Sequence, residues 1–185
     1  MKEKTMAIPA KDKFSLSKVK LIKDGGLDVT YDVTEVVGNE SYTNKYHVEN
    51  VKDVHPDLRK LFKQLAVEMA KMFSPITPKG VAEALEVKMT AKQKEACEKV
   101  EQSVQEKFEV RGVSFSGSGD NIGVVITGLY TFDNGLKTAI NSPRVKFDNT
   151  LFGNEEELEE ICTEIENEVY EFLFEGKSAQ LELFT

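Results

Sequence analysis

The sequence predicts an α+β fold: two βββα pseudo-repeats, with antiparallel sheets packed against amphipathic helices, plus a connecting helix. Three observations predict it. Three strand-like runs precede an amphipathic helix in the first half, the same order of elements returns after residue 108, and the core-facing positions of the two helices lie one hundred residues apart. Convergence on a common amphipathic pattern is the alternative to duplication, because residue identity between the halves is slight.

Taken in order, 14–22, 27–37 and 41–48 read as strands, separated by the turn signals DGG at 24–26 and GNE at 38–40. An antiparallel meander is the simplest arrangement. Along 27–37 one face presents Leu27, Val29, Tyr31 and Val33, and the other Asp28, Thr30, Asp32 and Thr34. A helix over 56–73 follows, with its stripe at Leu58, Leu61, Phe62, Leu65, Met69, Met72 and Phe73, and it stops before Pro75.

Between the halves, Thr90-Ala91-Lys92-Gln93 fits a capping box and starts a helix reaching about Phe108, with a narrow stripe at Cys97, Val100, Val104 and Phe108. That narrowness predicts a helix lying on the surface of the core. Leu85, Val87 and Met89 alternate and could add a short strand.

In the second half, strands are expected over 109–116 and 122–132, the second presenting Ile122, Val124, Ile126, Tyr130 and Phe132 on one face. The hairpin signal Asp133-Asn134-Gly135 then leads to a third strand around 136–147, interrupted by Pro143. The closing helix, about 154–175, carries its stripe at Leu158, Ile161, Cys162, Ile165, Val169, Phe172 and Leu173. The expected organisation is one domain over 1–176, made of a first unit (12–75), a connecting helical segment (76–108) and a second unit (109–176). Residues 177–185 form a tail.

At 185 residues, 40% hydrophobic and 30% charged, the chain is suited to a single folded domain with a sizeable core. No apolar run approaches the ~20 residues of a membrane span, and the first residues, MKEKTMAIPAKDKF, lack the apolar stretch of a signal peptide. These features predict a cytoplasmic protein without a membrane partner. Cys97 and Cys162 fall among apolar neighbours on helix-like segments and are expected to pack as small hydrophobes. Net charge is -8, yet 148–175 holds one Asp and ten Glu without a Lys or Arg, leaving about +3 for the remainder.

Local catalytic or metal signatures are lacking, so no enzyme activity, cofactor or metal is expected. Four residues of strand separate Asp28 from Asp32 by roughly 13 Å at ~3.3 Å per residue, too far for one metal ion; a solvated strand face is the expected role. His47 and His55 belong to no metal-binding pair or cluster, and are expected to be exposed or to sit at a helix start. The 116–123 stretch SGSGDNIG lacks the Lys-Ser/Thr of a phosphate loop and precedes a strand, so a hairpin turn accounts for its glycines. Direct nucleic-acid binding through the sheet is not favoured: the predicted open face of 27–37 carries two aspartates and no aromatic side chain. The glutamate-dense helix reads as a solvated face or, more sharply, as a mimic of DNA phosphates that would block a basic site.

The last residues, Gln180-Leu181-Glu182-Leu183-Phe184, resemble the QLxLF pentapeptide by which bacterial replication and repair proteins dock on the β sliding clamp. The resemblance covers these five residues alone. It implies Gln180 as the polar anchor at the cleft rim, Leu181 as the first apolar contact, and Leu183 with Phe184 as the main plug, while Glu182 takes the variable position. Short flexible motifs with aliphatic and aromatic anchors suit such docking. The expectation is therefore a non-enzymatic accessory protein of DNA replication, recombination or repair, bacterial or phage-encoded. The alternative is a structural or self-assembling protein, a homo-oligomer whose tail packs on its own core or on a neighbouring subunit.

Overall fold

The computed structural model describes residues 8–22, 25–51, 54–73, 88–148 and 155–177. A short 3-10 turn, Lys11–Lys13, leads into β1 (Phe14–Leu21), followed by β2 (Leu27–Val37) and β3 (Glu40–Val51). The second meander comprises β4 (Phe108–Ser116), β5 (Gly123–Thr131), β6 (Lys137–Asn141) and the two-residue β7 (Val145–Lys146). Helices α1 (Pro56–Phe73), α2 (Ala91–Gln105) and α3 (Glu155–Tyr170) complete the α+β fold.

The two meanders meet in one antiparallel sheet, in the order β3-β2-β1-β4-β5-β6, with β7 also pairing with β5. Their junction is short, since β1 and β4 pair only at Lys18–Ser114, Val19–Val113 and Lys20–Gly112. The helices then cross over: α1 lies against β4 of the other unit and against α3, while α3 touches β1. One hydrophobic core draws on both halves, including Val19, Leu27, Val29, Leu58, Leu65, Val113, Ile126, Leu158 and Ile165.

Alternation explains the strands. Leu27, Val29, Tyr31 and Val33 are buried, and the residues between them stay half-buried on the other face. That second face is a polar ladder, in which Ser17 donates to Asp32 (2.5 Å), Thr30 contacts His47 Nδ1 (3.0 Å) and Thr34 contacts Thr43 (3.1 Å). Pro143 interrupts the last strand of the second unit as expected, and Ser142 repairs the ladder there. Its buried Oγ accepts the Ile126 N–H (2.9 Å) and donates to the Pro143 carbonyl (2.8 Å). Two members of the expected apolar face of 122–132 are instead exposed: Ile122 precedes the ladder, and Phe132 stands one residue past the last β5–β6 pair, Thr131–Lys137.

The capping box forms as the spacing predicts: Gln93 N–H donates to Thr90 Oγ1 (3.4 Å), and Thr90 N–H donates to Gln93 Oε1 (2.9 Å). The helix it starts ends at Gln105, short of Phe108, which instead opens β4 and packs its ring on Phe73 and Tyr130. Most described side chains of α2 are exposed, and the helix touches α1. The side chains of Cys97, Val100 and Val104 lie outside the described residues, as do Leu85 and Val87; Met89 is not in a strand.

All seven predicted stripe residues of α1 face the core except Phe73, which is exposed but stacked on Phe108; Ala66 and Ala70 are buried as well. The predicted stripe of the closing helix is likewise buried or half-buried. Its last turn widens into a π-helix over Glu171–Glu175 before Gly176 ends it at φ 76. Phe174, absent from the 3.6-residue stripe, contacts Phe14, Tyr31 and Tyr170 at ring-centroid distances of 5.9, 5.6 and 5.2 Å. A one-residue widening re-aims side chains by part of a turn, which a periodic pattern does not encode.

Candidate functional site

The predicted docking residues Gln180, Leu181, Leu183 and Phe184 lie outside the described residues. What the structure describes is the point from which that segment departs. Gly176 adopts the left-handed conformation favourable to glycine, and the Lys177 N–H donates to the Glu171 carbonyl at 3.2 Å, closing the helix end. The Lys177 side chain folds back along α3, its Nζ 2.5 Å from Glu168 Oε1, 3.1 Å from Glu171 Oε2 and 3.8 Å from Asp57 Oδ2. Lys177 thereby ties the start of the segment to both α3 and α1.

Electrostatics reinforce the tie. The hydrogen bond to Glu168 comes first among the causes that hold the Lys177 ammonium above its ordinary range, with Glu171 adding to it. Glu168 is mostly buried, and its second oxygen has no hydrogen-bond partner among the described residues, which concentrates negative charge beside the ammonium. Lys60, through a 2.8 Å bond, leads the causes that hold Asp57 below the usual carboxylate range. His55 is buried at the start of α1, where its Nδ1 accepts the Asp57 N–H (3.2 Å); its expected helix-start role is realised in the interior.

His55, Asp57 and Glu168 each place a ligand-type atom within 4.8 Å of the others, the only such group of three among the described residues. The Lys177 ammonium lies among these carboxylates, so their charge is balanced by the chain itself. Sequence reading missed this cluster because Glu168 lies 111 residues after Asp57, yet one signal was available: Lys177 is the first basic residue after the eleven acids of 148–175.

A second concave feature opens where β1 and β4 part. Phe14 to Leu16 keep their pairing with β2, and Phe115 and Ser116 pair with β5, but neither set pairs with the other. Glu166 of α3 reaches into the gap, and its Oε1 accepts the Leu16 N–H at 2.7 Å. The resulting cleft, about 450 Å³, has walls from Leu16, Phe115, Ile122, Phe147 and Cys162, with Asp148, Glu159 and Glu166 also lining it. Burial pushes the Glu166 carboxyl up; burial first, then Glu159 and Glu166, push the buried Cys162 thiol up to about 12. The expectation that Cys162 packs in the core holds, and its thiol stays protonated at neutral pH.

The other residues weighed in the sequence occupy structural positions. Asp28 Oδ1 accepts the Asn50 N–H (3.0 Å), Asp32 holds Ser17, and His47 lies exposed between Thr30 and Glu49. In the glycine-rich stretch, Gly117 (φ 98) and Gly119 (φ 54) turn the chain, and Arg144 pins the turn by donating to the Ser116 hydroxyl and to the Ser116 and Asn121 carbonyls. No described helix is long and apolar enough to cross a membrane. No known protein family, curated protein or solved structure matches the chain.

Proposed function

We propose that the chain is a non-enzymatic accessory protein of bacterial or phage DNA replication, recombination or repair, which docks on the β sliding clamp through QLELF. Gln180 supplies the polar anchor, Leu181 the first apolar contact, and Leu183 with Phe184 the plug. The observation that carries this reading is the motif itself, Gln180 to Phe184. It gains support from its setting, because Gln180 follows three residues after Lys177, which is itself held to α1 and α3 by ion pairs. A partner gripping the motif would be coupled to the folded body through a short link.

The test compares the full chain with a version ending at Ala179 for binding to a purified bacterial β clamp, by fluorescence anisotropy. Binding that disappears with residues 180–185 is the expected result, together with competition by a QLELF peptide. Equal binding by both forms, or none by either, overturns the reading.

A second reading, self-assembly, is favoured by one observation. β3 is a twelve-residue edge strand, exposed along most of its length, with Val36, Val37 and Tyr42 exposed at its hairpin end. If copies pair through this edge, the solution mass will exceed that of a monomer, and replacing Thr43 by Pro will return it to monomer.

A further inference from the structure

We propose that the cleft between β1, β4 and α3 binds a small organic cation, an ammonium or guanidinium carried on an apolar body. The cleft follows from the backbone. β1 and β4 share only three pairs, and beyond Lys18 and Ser114 the strands diverge, leaving Leu16 and Phe115 on opposite sides of a gap in the middle of the sheet. A gap inside a sheet exposes main-chain polar groups that need partners. One is satisfied by Glu166, which fixes that carboxylate at the cleft wall through the Leu16 N–H.

Its volume, about 450 Å³, lies within the range of small-molecule sites, roughly 300–1,000 Å³. Leu16, Phe115, Ile122 and Phe147 give the apolar body a place, and Ile122 is 39% exposed although it is a large aliphatic residue at the mouth. The two phenylalanine rings also suit a cation.

Charge decides the class. Asp148, Glu159 and Glu166 line the cleft, and no lysine or arginine does so among the described residues. Described lysines close by in sequence, Lys13 before Phe14 and Lys146 before Phe147, are not among its lining residues. Arg144, at the same end of the sheet, is engaged with the 116–121 turn. An anion would meet three carboxylates without a counter-charge, whereas a cation would gain all three as neighbours.

The full chain, labelled with 15N, is titrated with hexylammonium chloride, with sodium hexanoate and with sodium chloride at matched ionic strength, and amide shifts are followed. Hexylammonium should produce saturable shifts at Leu16, Ile122 and Thr163, with hexanoate at least about tenfold weaker. In E159Q/E166Q, where the amide oxygen introduced at position 166 can still accept the Leu16 N–H, hexylammonium affinity should fall by at least about tenfold. Should that variant not fold, D148N/E159Q replaces two exposed carboxylates and should weaken binding by a smaller factor. Equal affinity for hexylammonium and hexanoate, unchanged affinity in the folded variant, or no saturable shift at the cleft overturns the proposal.

Discussion

The two βββα units share an order of elements but differ at their outer edges and in the surroundings of their helices. The first unit ends its sheet with β3, twelve residues without a proline; the second ends with β6, five residues that stop at Ser142-Pro143. In the first unit α1 is enclosed by β4, α2 and α3, whereas α3 turns Glu156, Glu157, Glu159, Glu160 and Glu164 outward and touches the sheet mainly at β1. The common plan accounts for the core. The departures from it supply the features open to a partner: a long bare edge, an acidic helix face, and a wedge where the units fail to pair.

The largest test of this comparison is a matched pair of truncations. Leu65 and Ile165 are fully buried counterparts, one on each helix. Leu65→Ala and Ile165→Ala should each cost about 2–5 kcal/mol in urea unfolding, with the larger loss at Leu65 because α1 has more surrounding elements. Equal or reversed losses would remove the asymmetry of the helices.

Next comes the blocked edge. Ser142→Ala leaves the buried Ile126 N–H without its side-chain acceptor and should cost about 1–3 kcal/mol. Hydrogen exchange should speed up at Ile126 and Val145 while β2 and β3 keep their protection; a loss spread over both units would mean that the edges are not independent.

Smaller is the effect of Lys177→Gln. The ammonium is partly exposed, so solvent screening limits the loss to about 1 kcal/mol or less, reduced further in high salt. Because its folded pKa is raised, the contribution of Lys177 is complete below the ordinary lysine value of 10.5 and lost as pH rises through the higher folded value. The difference between wild type and variant should therefore vanish in strong alkali.

Smallest, and of opposite sign, is Glu166→Gln. Burial raises the folded pKa of this carboxyl, so its stabilising contribution belongs to the protonated form, is present below the ordinary value of 4.5, and is lost as pH rises through the folded value. At pH 7 the neutral amide should raise Tm by roughly 1–3 °C, and the gain should disappear below about pH 4. A variant less stable than wild type at pH 7 would show that the hydrogen bond to Leu16 outweighs desolvation.

Much of the fold was legible because it rests on local periodicity: the alternation of 27–37, the stripes of α1 and α3, the Thr90–Gln93 box, and the interruption at Pro143. The joining of two meanders into one sheet was not legible, since nothing in β1 or β4 taken singly states that Val19 pairs with Val113. The exchange of helices, the π-turn that recruits Phe174, and the Lys177 cluster are equally non-local. Gln180, Leu181, Leu183 and Phe184 are legible as a motif, and the proposed docking role rests on that motif.

The crossing of α1 onto β4 has a consequence for biosynthesis. On the ribosome α1 is made well before the strand it lies against, so Leu58, Leu61, Leu65 and Met69 must wait uncovered until Phe108–Ser116 has left the exit tunnel. During that interval the nascent first half carries an apolar helix face and a bare strand edge together, the state in which a chaperone has most to bind. Within that interval the chain also makes the polar, capped α2, which packs against α1 in the folded protein.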